Sequence, residues 1–247
     1  MSPRKDLKIL SWNIHKGIGG VDRVYDLKRI ARLIEHESPD IALLQEVADG
    51  WPATDFHDQA ILLSEMTNFE HVAFHQEHRF RKGGYGNAIL SRFPLEDSNR
   101  MELKCGWRKK RGATLAEALI PTESGELRVM VASVHLGLAE TERRRQLRSL
   151  LGPDSSLKAN MPTIVGGDFN DVYDTVEGFM SRERRLVRAG QRTRTFPAAF
   201  PMLSLDGIFT SHLQLISAAT TKNGLTKSAS DHLPLIAVLA LPSSEAR

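Results

Sequence analysis

The opening of the chain combines two spacings of apolar residues. Residues 7–14 form a β-type run, and residues 41–47 are almost continuously apolar, as in a strand that is buried on both faces. Between them, residues 26–38 place apolar side chains three and four positions apart, which predicts an amphipathic helix. The dipeptide Ser38-Pro39 ends this helix, because proline disfavours helical backbone at the residue before it. The pattern predicts a β-α-β unit at the start of the chain.

The rest of the chain mixes strand-like and helix-like segments. Two more helices are predicted, over residues 55–66 and 140–151. Strands are predicted at residues 71–80, 86–91, 112–120, 127–136, 163–167, 203–210 and 234–241. Neither an internal repeat nor a change of composition marks a domain boundary. We therefore predict one α/β domain over residues 1–247, built from two packed mixed sheets with helices outside.

Composition narrows the class of protein. The net charge of +3 permits a polyanionic partner without requiring one. The single cysteine, Cys105, excludes a disulfide framework and is compatible with a reducing compartment. No apolar run approaches the roughly 20 residues of a membrane span, and the N-terminus lacks an apolar stretch of secretory length. We expect a monomeric cytoplasmic protein without a membrane span.

Polar residues stand at the ends of the predicted strands, where α/β folds gather their active sites. They are Asn13, Glu46, Asn87, His135, Asp168, Asn170, Asp206, Asp231 and His232. Each has a structural explanation by itself, because a buried Asn can satisfy backbone groups and a strand-end His is usually a hydrogen-bonded polar residue. So many acids, amides and histidines at strand edges are poorly explained by separate structural roles. The set as a whole predicts an active site.

The segment "IVGGDFN" shows how one strand end could present such groups. Residues two apart in extended backbone point the same way, so Asp168 and Asn170 would share a face while Phe169 turns into a core. Gly166 and Gly167 leave out two side chains just before them. The alternative is a strand followed by a helix cap, since Asp and Asn both cap helices well.

Seven short motifs appear together along the chain, and their order resembles that of the endonuclease/exonuclease/phosphatase family. They are "SWNI", "LLQEV", "GNAILS", "HLGL", "GGDFN", "LDGIF" and "SDHLP", and the resemblance covers residues 7–240. It implies a four-layer α/β sandwich and hydrolysis of phosphate esters that depends on Mg²⁺ or Mn²⁺. Mg²⁺ takes oxygen ligands and keeps several waters, so one or two carboxylates suffice to hold it.

The resemblance also implies roles for individual residues. Glu46 is similar to the metal-binding acid, with Asn13 beside it and Asp231 as a second carboxylate on the metal side. Asp168 resembles the group that orients or deprotonates the attacking water. Asn170 would hold the phosphate or the metal shell, and the two preceding glycines would clear space for the phosphate.

The remaining motif residues are assigned to the phosphate side of the site. Asp206 resembles the partner of His232, and we expect the two to be in contact. His135 would be a second histidine on the phosphate, and Asn87 and Arg111 are expected to bind substrate. One departure is His15, where several nucleases of the family carry an acid; imidazole suits Mn²⁺ better than Mg²⁺, which puts a second metal position in doubt.

Three basic runs bear on the substrate. Residues 108–111, 143–148 and 182–194 are rich in arginine and lysine, and each is either a solvated surface or a phosphate-binding segment.

Three functions are compatible with the sequence. The first hypothesis is a nuclease that acts on DNA through phosphate contacts. The second is a phosphodiesterase or phosphatase for a lipid head group or a small phosphorylated molecule, sphingomyelinase-like or inositol-phosphatase-like. The third is a binding module with an inactive site. A lipid enzyme should carry an apolar insertion near its site, and the sequence shows no strong one.

Overall fold

The computed structural model describes residues 4–158, 160–222 and 224–242. Two six-stranded mixed sheets form its centre. In chain order the strands are β1 (Asp6–Asn13), β2 (Ile41–Asp49), β3 (His71–Arg79), β4 (Gly84–Ser91), β5 (Leu95–Glu102), β6 (Gly112–Thr122), β7 (Gly125–His135), β8 (Thr163–Asp168), β9 (Val187–Arg188), β10 (Asp206–Ser211), β11 (Gln214–Thr220) and β12 (Leu235–Ala240). The helices are α1 (Leu27–Glu37), α2 (Gln59–Thr67), α3 (Glu140–Leu151), α4 (Val176–Arg184) and α5 (Gly224–Ala229).

The two sheets have similar layouts. The first has the strand order β11-β12-β1-β2-β4-β3, and the second has the order β5-β6-β7-β8-β10-β9. One parallel pair lies at the centre of each sheet, β1 with β2 and β7 with β8, and the remaining ladders are antiparallel. Asn13 ends β1 and Asp168 ends β8, so the central strands of both sheets finish in polar residues.

Three apolar clusters separate the layers. One lies between the sheets and joins residues such as Leu43 and Ile164. A second packs α1 and α2 on the first sheet, and a third packs α3 and α4 on the second sheet. The order helix, sheet, sheet, helix confirms the predicted four-layer α/β sandwich. None of the helices in the described ranges combines the length and apolar character that crossing a membrane requires.

The helix ends follow from local hydrogen bonding. The side chain of Asp26 accepts from Lys28 N at 3.0 Å and begins α1, and Ser38 ends it in a left-handed conformation. The second helix begins later than the predicted residue 55, because Asp58 caps it and a 3₁₀ turn over Pro52–Thr54 precedes it. The predicted helix over 140–151 matches α3.

Five elements are absent from the sequence prediction: β5, β9, β11, α4 and α5. Two of them, β5 and β11, are mostly exposed, so they lack the apolar alternation of a half-buried strand. The strand β9 has only two residues, and α4 and α5 are short and lie in polar sequence. These elements lie at edges and surfaces, where packing does not impose a pattern.

The two glycines before Asp168 serve packing rather than the phosphate, which corrects the sequence expectation. A Cβ on Gly166 would lie 2.7 Å from Leu43 Cδ1, on the facing sheet. A Cβ on Gly167 would lie 1.9 Å from the carbonyl oxygen of Val134, on the neighbouring strand. Both positions require glycine because other protein atoms occupy the space.

We expect Gly167→Ala to destabilise the protein by about 1–3 kcal/mol or more, because backbone has to move. Gly166→Ala should cost less, since the far end of the Leu43 side chain can give way. Gly178→Ala is the matched control: it lies in α4 with no atom near the added methyl group, and it should stabilise by about 0.5–1 kcal/mol. Urea denaturation measures all three, and equal effects at Gly167 and Gly178 would contradict the packing argument.

Candidate active site

Most of the predicted site residues line one pocket of about 490 Å³ at the end of the sandwich. They are Asn13, Glu46, Arg111, His135, Asp168, Asn170, Asp231 and His232. Three neighbours that the sequence prediction did not assign, His15, Lys16 and Lys109, line it as well. The pocket therefore combines oxygen ligands, imidazoles and cations in one place.

Several pocket residues have strained backbone. His15, Lys16, Glu46 and Asn170 have φ values of 47°, 61°, 53° and 51°, in the left-handed region that non-glycine residues seldom adopt. Glu46 sits where the pairing of β2 with β4 shifts register between Leu44 and Val47. A bulge of this kind re-aims one side chain, and such strain concentrates at functional sites.

Asp168 is the centre of the polar network. Its Oδ2 accepts a hydrogen bond from Asn13 Nδ2 at 3.0 Å and lies 3.4 Å from His135 Nε2 and 3.8 Å from His232 Nε2. Burial raises the pKa of Asp168 to about 6, with repulsion from Asp206 adding to the effect. A carboxylate with raised basicity is suited to accept a proton from a neighbouring water.

His232 and Asp206 are in contact, as predicted from residues 26 positions apart in the chain. His232 Nδ1 donates to Asp206 Oδ2 at 2.9 Å, and Thr195 Oγ1 donates to the same oxygen at 2.5 Å. Burial disfavours the imidazolium, but the carboxylates of Asp206 and Asp168 outweigh burial and raise the pKa of His232 to about 10. His232 is therefore a cation at neutral pH, with Asp206 behind it and outside the pocket lining.

His135 is the opposite case. Burial lowers the pKa of His135 well below its usual value, and the nearby Arg111 guanidinium lowers it further. Arg111 Nη1 lies 3.0 Å from His135 Nδ1, and since a guanidinium only donates, Nδ1 must be the acceptor. The ring proton is then on Nε2, which faces Asp168. The pocket thus holds one charged and one neutral histidine.

The "GGDFND" segment contains both a site and a helix cap, on different residues. Asp168 Oδ1 accepts from Asn170 N at 3.0 Å, which closes a turn, and Asn170 Nδ2 donates to Leu136 O at 2.9 Å. Thr175 is the N-cap of α4 and makes no side-chain cap bond; the carboxylate of Asp171 instead accepts from Thr175 N and Val176 N at the start of the helix. Phe169 packs in the core of the second sheet, as expected.

The structure corrects the expectation that Asn87 binds substrate. Asn87 has no exposed surface, and its Nδ2 donates to Glu77 Oε1 at 2.5 Å and to Gly112 O at 3.0 Å. Glu77 is itself buried, and burial raises its pKa to about 8 despite the charge of Arg111. Asn87 therefore joins strands behind the pocket. Glu77 is not among the residues predicted from sequence, because it lies inside the strand predicted over residues 71–80 and not at its end.

The oxygen donors on one side of the pocket fit a divalent metal ion. Glu46 already holds a cation, because its carboxylate is paired with the ammonium group of Lys16. Burial opposes the charge on Glu46, but Lys16 together with His15 and Arg111 outweighs burial and holds the pKa of this carboxyl below its usual value. Asp231 is partly exposed, and within the described ranges the polar neighbours of its carboxylate are distant, with Ser230 Oγ at 3.5 Å and His15 Nδ1 at 3.8 Å. Carboxylate and amide oxygens are the donors that Mg²⁺ and Mn²⁺ prefer.

A second group, Asp168, Asp206 and His232, is also compact enough for a metal, with potential ligand atoms within 4.8 Å of one another. The hydrogen bonding favours another use. A histidine that is protonated on both nitrogens has no lone pair for a metal. The imidazolium argues against this second group, while Glu46, Asn13 and Asp231 offer oxygen donors to a metal ion without that conflict.

Comparisons with known proteins identify the family of the chain. The profile of the Endonuclease/Exonuclease/phosphatase family matches residues 10–232. The chain is 30% identical to "Uncharacterized protein YbhP" of Escherichia coli (strain K12), over 95% of this chain and 96% of that protein.

Solved structures of other proteins have the same fold. An endonuclease/exonuclease/phosphatase from Beutenbergia cavernae superposes with a TM-score of 0.79 and 23% identity, covering 98% of this chain and 73% of that one. ANGEL2, described as a 2′,3′-cyclic phosphatase, superposes with a TM-score of 0.71 and 16% identity over 95% of both chains. With the family profile spanning the whole pocket, this chain belongs to the endonuclease/exonuclease/phosphatase family of hydrolytic phosphoesterases, whose members use divalent metal ions.

Proposed function

We propose that the protein is a metal-dependent phosphodiesterase in which Asp168 activates the attacking water. The observation that carries this proposal is the arrangement around Asp168 Oδ2, which faces the pocket and is approached by Asn13, His135 and His232. Asn13 and the turn to Asn170 hold the carboxylate in place. The oxygen can then accept a proton from a water that is aligned with the scissile bond.

The charged groups of the pocket complement a phosphoryl group. The His232 imidazolium and Arg111 carry positive charge, and His135 presents a neutral N–H. Fixed donors of this kind stabilise negative charge that develops on phosphoryl oxygens. Mg²⁺ or Mn²⁺ at Glu46, Asn13 and Asp231 would polarise the phosphoryl oxygens and stabilise the leaving oxygen.

The surface around the pocket supports a polyanionic substrate, and DNA is the first candidate. Of the three basic runs, one contributes cations to the pocket lining. Lys109 and Arg111, of the run 108–111, line the pocket. In the run 143–148, Arg143 is buried and donates to Leu138 O, and Arg144 pairs with Glu140.

The run 182–194 is likewise engaged within the protein. Arg184 donates to the carbonyl groups of Leu151 and Gly152. Arg188 pairs with Glu177 and covers the ring of Phe209. These two arginines hold the fold together, so this run supports phosphate binding less than its composition indicates.

A second candidate substrate is a phosphate ester with an apolar group, such as a lipid head group or a small phosphorylated molecule. The wall of the pocket includes Leu138, Val172 and Leu203, with 74%, 45% and 37% of their surfaces exposed. This apolar wall is the feature that the sequence did not reveal. Hydrolysis of DNA, RNA, phospholipid vesicles and inositol phosphates, each with Mg²⁺ and with Mn²⁺, separates the candidates.

We expect Glu46→Gln to lower turnover by roughly 10²-fold or more, since the stabilisation of charge by the metal is lost with the carboxylate. EDTA should abolish the activity of the wild type. The test is hydrolysis of bis(p-nitrophenyl) phosphate with increasing Mn²⁺. Glu35→Gln, an exposed acid on α1, is the control and should behave as wild type. Turnover that persists in EDTA would refute the metal requirement.

Replacing His232 by Ala should lower turnover by roughly 10²-fold or more while metal binding is kept, because a fixed cation at the phosphate is lost. Asp206→Asn should also lower turnover. The double variant should be little worse than His232→Ala, since the two residues act as a unit. Steady-state kinetics on the same substrate measure all three, with His36→Ala on α1 as the control. Additive losses would argue against the pair.

Lys16→Met should tighten Mn²⁺ binding roughly tenfold, the equivalent of about 1.4 kcal/mol, because the competing ammonium group at Glu46 is removed. Isothermal titration calorimetry or the electron paramagnetic resonance of free Mn²⁺ measures the change. Lys28→Met, which removes an equal charge from α1, should leave the affinity as it is. Weaker binding in Lys16→Met would show that the ammonium group assists the metal instead of competing with it.

A further inference from the structure

A second concave surface adjoins the catalytic pocket. It is a groove of about 740 Å³ lined by residues 74–79 of β3, by Arg100 of β5 and by residues 107–110 of the loop between β5 and β6. The strand β3 is the edge of the first sheet and β5 is the edge of the second. The groove therefore lies where the two open sheet edges come together, and Lys109 lines both it and the catalytic pocket.

The cations of this groove are poorly neutralised. They are Arg79, Arg100, Arg108, Lys109 and Lys110. Among the described residues, Arg79, Lys109 and Lys110 form no ion pair, and the pairs of Arg100 with Glu102 and of Arg108 with Glu142 are both long, at 3.8 Å. Unpaired cations this close together repel one another, which favours an anionic ligand.

The other titratable groups in the groove do not neutralise these cations. Glu77 is the carboxyl group that lines it, and burial raises the pKa of Glu77 to about 8, so that the group is mostly uncharged at neutral pH. Burial together with Arg100 lowers the pKa of His75, and burial together with Lys109 lowers the pKa of His78. Both rings are therefore neutral hydrogen-bonding groups.

Aromatic side chains accompany these charges. Trp107 is fully exposed at the rim of the groove. His78 packs edge-on against Phe80 at 5.0 Å between ring centroids and contacts Tyr85 at 5.3 Å. The ammonium group of Lys109 lies 5.0 Å from the centre of the Tyr85 ring. Tyr85 is buried, and neither it nor Phe80 lines the groove, so it is Trp107 that offers an open aromatic face beside the unpaired cations. An exposed aromatic face next to unpaired cations is typical of surfaces that bind single-stranded nucleic acid.

We propose that this groove binds the single-stranded continuation of a polynucleotide whose scissile phosphate lies at Asp168. Arg79, Arg100 and Lys110 contact successive phosphates, and Trp107 stacks on a base. This role rests on the proposed phosphodiester hydrolysis and specifies its substrate. The strand is single because the bases of a duplex are covered on both faces by their neighbours and offer no face to Trp107.

Recognition in this groove involves phosphates and base faces, so it is independent of sequence. These groups are common to DNA and RNA, which differ at the 2′-hydroxyl. We therefore expect oligo(dT) and oligo(rU) to bind with similar affinity. The extended strand also accounts for unpaired cations well outside the catalytic pocket, which a small phosphate ester would not reach.

The test is fluorescence anisotropy of labelled dT12 and rU12 in EDTA, so that binding is measured without turnover. The double variant Arg79→Ala/Lys110→Ala should bind at least tenfold more weakly, with a salt dependence reduced by about 0.7 in log K per log salt for each lost phosphate contact. Trp107→Ala should weaken binding by roughly fivefold to a hundredfold with an unchanged salt dependence, because stacking is lost while the charges remain. As Trp107 is fully exposed, this variant keeps the fold even if the double variant does not.

The control is Arg32→Ala/Arg148→Ala, which removes the same charge from the exposed surfaces of α1 and α3. It should leave the affinity unchanged. Two results would contradict the proposed role of the groove. One is an equal loss of oligonucleotide affinity in the two double variants, and the other is binding to phosphatidylglycerol vesicles without binding to oligonucleotides. Hydrolysis of bis(p-nitrophenyl) phosphate is measured in parallel. Turnover without oligonucleotide binding refutes nucleic-acid binding by the groove and leaves the proposed hydrolysis standing. Groove-dependent binding without turnover refutes the proposed hydrolysis and leaves the binding role standing.

Discussion

One buried carboxylate oxygen, Asp168 Oδ2, fixes the arrangement on which the rest of the site depends. Asn13 approaches it from the first sheet and His135 from the second, while His232 reaches it from the segment before β12. A shared oxygen of this kind requires the two sheets to meet at close and constant distance. Gly166 meets this requirement directly, because it lets Leu43 of the facing sheet pack against the strand that carries Asp168. The packing between the sheets therefore also fixes the positions of the pocket residues around Asp168.

The close packing around Asp168 also sets the protonation states of the two histidines. Two histidines lie near one carboxylate, yet they differ in protonation because their second neighbours differ. The carboxylate of Asp206 stands behind His232 and favours the imidazolium, whereas the guanidinium of Arg111 stands behind His135 and favours the neutral ring. The Arg111 guanidinium also fixes the single ring proton of His135 on Nε2, because Nδ1 has to accept. A pocket for a phosphoryl group thus obtains one cation and one neutral N–H donor from two histidines.

The sequence predicts the layers and the strand ends well, because burial on both faces and the polar residue that follows a strand are visible in the pattern. It predicts side-chain direction poorly. Asn87 ends in the interior because β4 lies between two strands and its amide bonds to Glu77 and to backbone. Lys16 enters the pocket because the backbone turns left-handed there, which no periodicity reveals. The edge strand β5 is equally hidden, since exposure on both faces removes the apolar alternation.

The arginine-rich runs show why composition alone is a weak guide to a partner. An arginine whose five donors are used on carbonyl and carboxylate groups of its own chain has few left for a phosphate. Arg184 and Arg188 are used in this way, on the side of the fold where α4 covers the second sheet. Arg79, Lys109 and Lys110 have no ion pair among the described residues, and they lie where two sheet edges leave a groove open. The partner is therefore indicated by the cations that the fold leaves unsatisfied, and these lie beside the pocket that contains Asp168.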